Sequence, residues 1–110
     1  MKKKIIKPWG WEKLIELNKY YCVKELFMKK GEECSLQYHK KKIETIIILK
    51  GELNIVVNNK KKKFKPGSII TISNNTVHKM QAIKNDCQYL ECSSIHLKDV
   101  IRINDKYGRC

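Results

Sequence analysis

The stretch Gly31-Glu-Glu-Cys-Ser-Leu-Gln37-Tyr-His39-Lys-Lys-Lys-Ile-Glu44-Thr-Ile-Ile-Ile-Leu-Lys-Gly51 decides the fold. Two turn glycines bracket three ligand-type side chains, Gln37, His39 and Glu44. Residues two apart on a strand share a face, so an extended Ser35–His39 aims Gln37 and His39 at one point. The run Lys40-Lys41-Lys42 is too polar for an interior and predicts a corner. Glu44 then opens the apolar strand Thr45–Leu49, and its carboxylate can swing back to the point that Gln37 and His39 address.

A fourth candidate lies downstream. Pro66-Gly67 predicts a turn, Ser68–Ile72 a strand, and Ser73–Asn75 a polar turn that delivers His78 onto a returning strand. The order is glycine, five residues, Gln37-x-His39, four residues, Glu44, six residues, glycine, then Gly67, five residues and a turn ending at His78. This resembles the two motifs of the cupins, small double-sheet jelly rolls that hold a metal inside the barrel. One position departs from that pattern, because Gln37 stands where the cupin pair usually begins with His.

The departure narrows the resemblance. Lys7-Pro8-Trp9-Gly10, Ser35-Leu36-Gln37-Tyr38-His39 and Arg102-Ile-Asn-Asp105-Lys-Tyr107-Gly108-Arg109 stand in the order seen in the cupin domain of type II phosphomannose isomerases. That domain often forms the C-terminal part of a bifunctional mannose-1-phosphate guanylyltransferase. The resemblance spans Pro8 to Arg109 and implies an all-β double-stranded β-helix, the cupin jelly-roll barrel, as one domain over residues 1–110. It also implies a metal held by Gln37, His39, Glu44 and His78, activity on mannose 6-phosphate, a place for Trp9 at the barrel mouth, and a homodimer.

Length and composition fit that expectation. The 110 residues, 42% of them hydrophobic, suit one core with no linker or repeat, and leave no room for a nucleotidyltransferase domain. No apolar run approaches a bilayer's thickness, and Met1–Lys7 leads into Pro8-Trp9-Gly10 rather than a signal-peptide segment. A cytoplasmic protein with no membrane partner is expected. Five cysteines, Cys22, Cys34, Cys87, Cys92 and Cys110, are odd in number and lack CxxC spacing, so reduced, partly buried thiols are expected.

The net charge of +13 invites a nucleic-acid reading. Yet Arg102 and Arg109 are the only arginines, and bidentate base or phosphate recognition favours arginine over lysine. The runs Lys2–Lys4, Lys40–Lys42 and Lys60–Lys63 read as solvated surface, so no nucleic-acid partner is expected. A positive field does raise the local concentration of a phosphorylated substrate.

Alternation and turns place further strands at Trp11–Leu17, Tyr20–Met28, Ile43–Leu49, Leu53–Val57, Lys61–Phe64, Thr76–Ile83 and Cys87–Ser94, about nine in all. Only the tail after His96 reads as a place for a short helical turn. His96 itself matches no motif. The two arginines near the C-terminus suggest planar anion binding, with Arg109 favoured over Arg102. Trp9, Arg102, Tyr107 and Arg109 are the substrate-binding candidates. Arg109 and Lys24 are the catalytic ones, since Lys24 or Glu25 can face inward and alternation does not say which.

An amide oxygen, two imidazoles and a carboxylate suit one borderline divalent ion, Zn foremost, with Mn, Fe, Co and Ni also suited. The amide is a weaker donor than imidazole and leaves the ion more Lewis acidic. A metal-dependent sugar-phosphate isomerase, converting mannose 6-phosphate to fructose 6-phosphate, follows from the resemblance. Two alternatives stand beside it: a non-catalytic cupin that binds a sugar or sugar nucleotide, and a cupin oxygenase, against which Gln37 counts.

Overall fold

The computed structural model describes residues 4–96 and 98–108. Eleven strands follow one another: β1 (Lys4–Lys7), β2 (Gly10–Leu17), β3 (Cys22–Met28), β4 (Leu36–Tyr38), β5 (Glu44–Lys50), β6 (Leu53–Val57), β7 (Lys60–Phe64), β8 (Ile69–Ile72), β9 (His78–Gln81), β10 (Cys87–Ser93) and β11 (Ile101–Asn104). There is no helix among the described residues. The strands form a six-stranded sheet, β1-β2-β3-β10-β5-β8, and a five-stranded sheet, β11-β4-β9-β6-β7. Every pairing is antiparallel.

Alternation sets which side chains fill the space between the sheets. On β10, Cys87, Tyr89, Glu91 and Ser93 are buried while the residues between them are half-exposed. On β5 the buried set is Glu44, Ile46 and Ile48. Register aligns these rows, with Glu91 opposite Ile46 on β5 and opposite Lys24 on β3. Thus a two-residue period fixes a polar end and an apolar remainder on the same inner face. The apolar part is one cluster that includes Trp9, Leu26, Met28, Ile46, Ile48, Leu53, Ile55 and Tyr89.

Two expectations are corrected and one strand is added. Lys4–Lys7, where no strand was expected, pairs with β2 as an edge strand, and Lys4 is exposed as expected of the lysine run. The tail holds a strand rather than a helical turn, and β11 pairs with β4 to bring Arg102 opposite Gln37. The Lys40–Lys42 corner exists, but Lys42 is buried. It shares the parity of Glu44, Ile46 and Ile48, so the inward phase of β5 begins at Lys42.

Turn chemistry closes the barrel. The β6–β7 hairpin turns on Asn58 and Asn59, both at positive φ (49° and 68°), as a two-residue turn requires and as Asn tolerates. Gly51 is more constrained: its φ is 77°, and a Cβ there would lie 2.1 Å from the Asp86 carbonyl oxygen. Gly67 also has positive φ (91°) but nothing within 4 Å of that position. Gly67→Ala should therefore lose only the left-handed backbone preference, about 1–2 kcal/mol. Gly51→Ala adds a backbone clash, and should cost on the order of 2–5 kcal/mol in all. Urea unfolding of the two variants measures the difference, and equal losses would show that the β5–β6 turn has room to move.

Candidate metal centre

Three side chains from different places in the fold meet in the interior. His39 directly follows β4, Glu44 begins β5 and His78 begins β9, and all three are buried. One ligand atom from each lies within 4.8 Å of the other two. His78 Nε2 stands 3.0 Å and His39 Nε2 3.6 Å from Glu44 Oε1. The other nitrogen of each ring is already engaged: His39 Nδ1 donates to the Asp99 carbonyl, and His78 Nδ1 to the Thr76 carbonyl at 2.8 Å. That assignment puts the proton on Nδ1 and leaves a lone pair on each Nε2.

Two imidazole lone pairs and a carboxylate oxygen then face one another in the buried interior. His39 Nε2, His78 Nε2 and Glu44 Oε1 are buried and have no hydrogen-bond partner among the described residues. Such a convergence calls for a cation, and two nitrogens with one oxygen match the donor set of a divalent transition ion. The backbone carbonyls behind the rings supply the support that orients metal-ligating histidines. Where no ion lies between them, a proton on the imidazoles takes the cation's place, and the shifts of Glu44 and His39 belong to that arrangement. Burial alone would raise the Glu44 carboxyl, but the two imidazoles and Lys42 hold it well below the usual range. Burial would lower His39, and Glu44 with the Asp99 carbonyl outweighs it and raises the ring.

His39 and Glu44 open onto a cavity of about 150 Å³, which Gln37 also lines. The Gln37 side-chain oxygen accepts from Ser35 Oγ at 2.6 Å, and Gln37 lies opposite His78 in the β4–β9 register. Gln37 is therefore placed beside the triad, with its oxygen turned to Ser35. Behind the triad stands a buried ion pair that sequence reasoning missed. Lys42 Nζ lies 3.0 Å from Glu91 Oε2 and 3.5 Å from Glu44 Oε2. Burial, and then the Glu44 charge, push Glu91 up to about 7 despite Lys42. The signal for Glu91 was its phase with Tyr89, an obvious inward residue two positions away.

The remaining candidates divide. Lys24 lines the cavity, while Glu25 faces outward and accepts from Gln88 Nε2 at 2.5 Å. The buried neighbours Cys22, Leu26 and Met28 share the phase of Lys24 and settle what Lys24 and Glu25 alone could not. Trp9 is buried in the core cluster and also lines the cavity, so it both packs and faces the site. Arg102 lines the cavity. Tyr107 does not; its hydroxyl donates to Glu32 Oε1 at 2.7 Å and ties the C-terminal segment to the turn before β4. Arg109 lies outside the described residues. His96 is exposed and bonds Ser94 Oγ. The described cysteines are free, and burial pushes the Cys34 thiol up to about 12 and Cys87 up to about 11, the opposite of what a nucleophile needs.

Residues 1–105 match the family described as mannose-6-phosphate isomerase, C-terminal. The chain belongs to that family. Among curated proteins it is 27% identical over 113 residues to the mannose-1-phosphate guanylyltransferase ManC of Salmonella typhimurium, covering 99% of this chain and 24% of that one. The mannose-1-phosphate guanylyltransferase of Escherichia coli is 28% identical over 114 residues, covering 98% and 24%. This family member thus spans about a quarter of the length of those relatives. Among solved structures it superposes on KdgF from Halomonas sp. with a TM-score of 0.78 at 14% identity, covering 87% and 86% of the two chains. A cupin-2 domain protein of Rhodospirillum rubrum gives 0.76 at 14% identity, covering 84% and 69%. These likenesses establish the cupin fold, the double-stranded β-helix expected from the two motifs.

A metal held by the triad makes two predictions. Protein purified without chelator should carry about one divalent ion per chain, and His39→Ala combined with His78→Ala should abolish it, since the ligand atoms are the binding energy. Full occupancy of the double variant in elemental analysis would remove the assignment. Asp99→Ala should weaken the site less, by about tenfold in metal affinity, because it keeps the backbone carbonyl that receives His39 Nδ1 and removes only the carboxylate that holds the Lys40–Lys42 corner between two ligands. A chelator competition titration reads that difference.

Proposed function

We propose that this chain is an aldose–ketose isomerase acting on mannose 6-phosphate and fructose 6-phosphate. The observation that carries the reading is a metal-type triad, two of whose members, His39 and Glu44, share one small cavity with a buried Lys42–Glu91 pair inside a member of this family. A divalent ion held by His39, Glu44 and His78, with Gln37 beside it, would supply Lewis-acid polarisation of the sugar's carbonyl and hydroxyl oxygens. Zn suits this donor set foremost, and Mn, Fe, Co and Ni suit it as well.

The chain's own residues do the rest. Isomerisation moves a proton between C1 and C2 of the sugar, so a group must take it from one carbon and return it to the other. Two carboxyls on the cavity lie outside the triad, Glu12 and Glu91; Glu91 is the buried one next to it, and Lys42 fixes its Oε2 from 3.0 Å. In this reading Glu91 carries the proton and Lys42 steadies the charge that develops on the neighbouring sugar oxygen. Lys24, opposite Glu91 in the β3–β10 register, is the second cation bordering that carboxyl, a role of support rather than of proton transfer. Trp9 closes one wall of the cavity and limits water. The phosphate-holding role expected of Arg109 stays part of the proposal.

The homodimer implied by the resemblance is also part of it. Ile6 and Ile69 are exposed on β1 and β8, the two edges of the six-stranded sheet, and pairing of two copies would cover such apolar edges. Sedimentation velocity at micromolar protein should give a dimer, and a monomer would withdraw this point.

The test of activity is the metal-loaded protein with mannose 6-phosphate in deuterated water, followed by proton NMR. Growth of fructose 6-phosphate with partial loss of the C2 proton signal is expected. Glu91→Gln should lower kcat by about a hundredfold or more while metal content is retained. Saturable sugar binding with neither conversion nor exchange, across several divalent metals, would replace the enzyme with a binding module.

A further inference from the structure

At the mouth of the same cavity the polar side chains form a second group, separate from the triad. Lys7 on β1 and Lys24 on β3 both lean on Glu12 of β2, with Nζ to Oε1 distances of 3.6 and 3.7 Å. All three line the cavity, as does Arg102 of β11. Arg102 differs from the two lysines. It has no ion pair among the described residues, and its Nε is buried without a hydrogen-bond partner. A guanidinium N–H stripped of water and left unbonded beside a cavity is costly, unless a ligand completes it.

We infer that Lys7, Lys24 and Arg102 form an anion subsite for the phosphate monoester end of the substrate, with Glu12 as the residue that spaces the lysines and trims their charge. Within this group three cations face one carboxylate, a surplus of two positive charges, and the neighbouring Glu91 is offset by its own partner Lys42. A phosphate monoester carries about two negative charges near neutral pH, so the mouth is matched to one such group. Arg102 supplies directional N–H donors, and the lysines supply point charges that tolerate the terminal oxygens in several orientations. The subsite draws on the first strands and on β11, so it frames the opening from two sides while the triad lies deeper. This deepens the isomerase reading and rests on it for the rest of the sugar. It also gives phosphate a holder within the described barrel, alongside the role expected of Arg109.

The experiment uses inorganic phosphate as the probe, titrated into the metal-free full chain at low ionic strength. Binding is followed by calorimetry and by the proton–nitrogen signal of the Arg102 Nε–H. A saturable shift of that signal is expected. Arg102→Lys, which keeps the charge and the fold but loses the directional donors, should weaken binding about tenfold, and Lys24→Met by a similar factor. Glu12→Gln should tighten it, since the amide keeps the shape and removes the opposing charge. Lys62→Met, on β7 beside a different, apolar cavity, should leave it unchanged. Phosphate affinity indifferent to Arg102→Lys and Lys24→Met, weakened by Glu12→Gln, or weakened as much by Lys62→Met, would overturn the subsite. Binding as expected without turnover of mannose 6-phosphate would leave the subsite standing and remove the isomerase reading. Turnover with phosphate affinity indifferent to Arg102 and Lys24 would do the reverse.

Discussion

Three buried lone pairs turned toward one another set the terms for the rest of the barrel. Glu44 Oε1 faces both His39 Nε2 and His78 Nε2, and each ring is locked in that direction by a backbone carbonyl at its far nitrogen. Dry acceptors aimed at acceptors repel, and the arrangement is stable only with a positive charge among them. The six-stranded sheet supplies Glu44 and the five-stranded sheet supplies His78, so a cation that satisfied the site would also hold the two sheets together at this end. Fold and site are thus one problem. A barrel that opened here would expose the ligands to water and lose the reason for their convergence.

Around that centre, charge alternates outward. His78 and His39 meet Glu44, Glu44 meets Lys42, Lys42 meets Glu91, Glu91 lies across from Lys24, and Lys24 meets Glu12, which meets Lys7. Glu91 and Glu12 each have a lysine on either side, and Glu44 lies between Lys42 and the two imidazoles. Buried ion pairs add little net stability, because the loss of solvation nearly cancels the attraction. A row of them is therefore poorly explained as a device for holding the fold, and is better explained as a polar path into the cavity. Most of the +13 lies elsewhere, on exposed residues such as Lys40, Lys41 and Lys60–Lys63, where it shapes the field around the molecule and not the site.

The fold was legible because its signals are local. Glycine spacing, two-residue alternation and Asn or Pro-Gly turns are all contained within a few residues; they pointed His39 and Glu44 at one place, and the cupin resemblance added His78. Lys42 and Glu91 were not legible, since a lysine in a run of three reads as solvent-facing and a lone glutamate on a strand has no motif. Their burial is decided by phase: Lys42 is in step with Glu44, and Glu91 with Tyr89. β1 and β11 were missed for a different reason. Both are four-residue edge strands, stabilised by a single neighbour each, and basic or mixed composition hides so short a period.

Asp99 shows why the ligand motifs do not by themselves make the site. It lies between β10 and β11, far along the chain from the residues it serves. Its carboxylate accepts the backbone N–H groups of Lys40, Lys41 and Lys42 at 3.1, 2.6 and 3.0 Å, and its own carbonyl receives His39 Nδ1. Those N–H bonds, that of Lys41 first, hold the Asp99 carboxyl down at about 2, so it is ionised throughout the working range. One residue therefore fixes the corner that turns Lys42 inward and the tautomer that frees His39 Nε2. Three consecutive N–H groups in a tight corner have no strand to pair with, and an ionised carboxylate is the compact group that can serve all of them. The C-terminal segment thus acts as the brace of the candidate metal centre, and the same segment goes on to bring Arg102 to the cavity beside it.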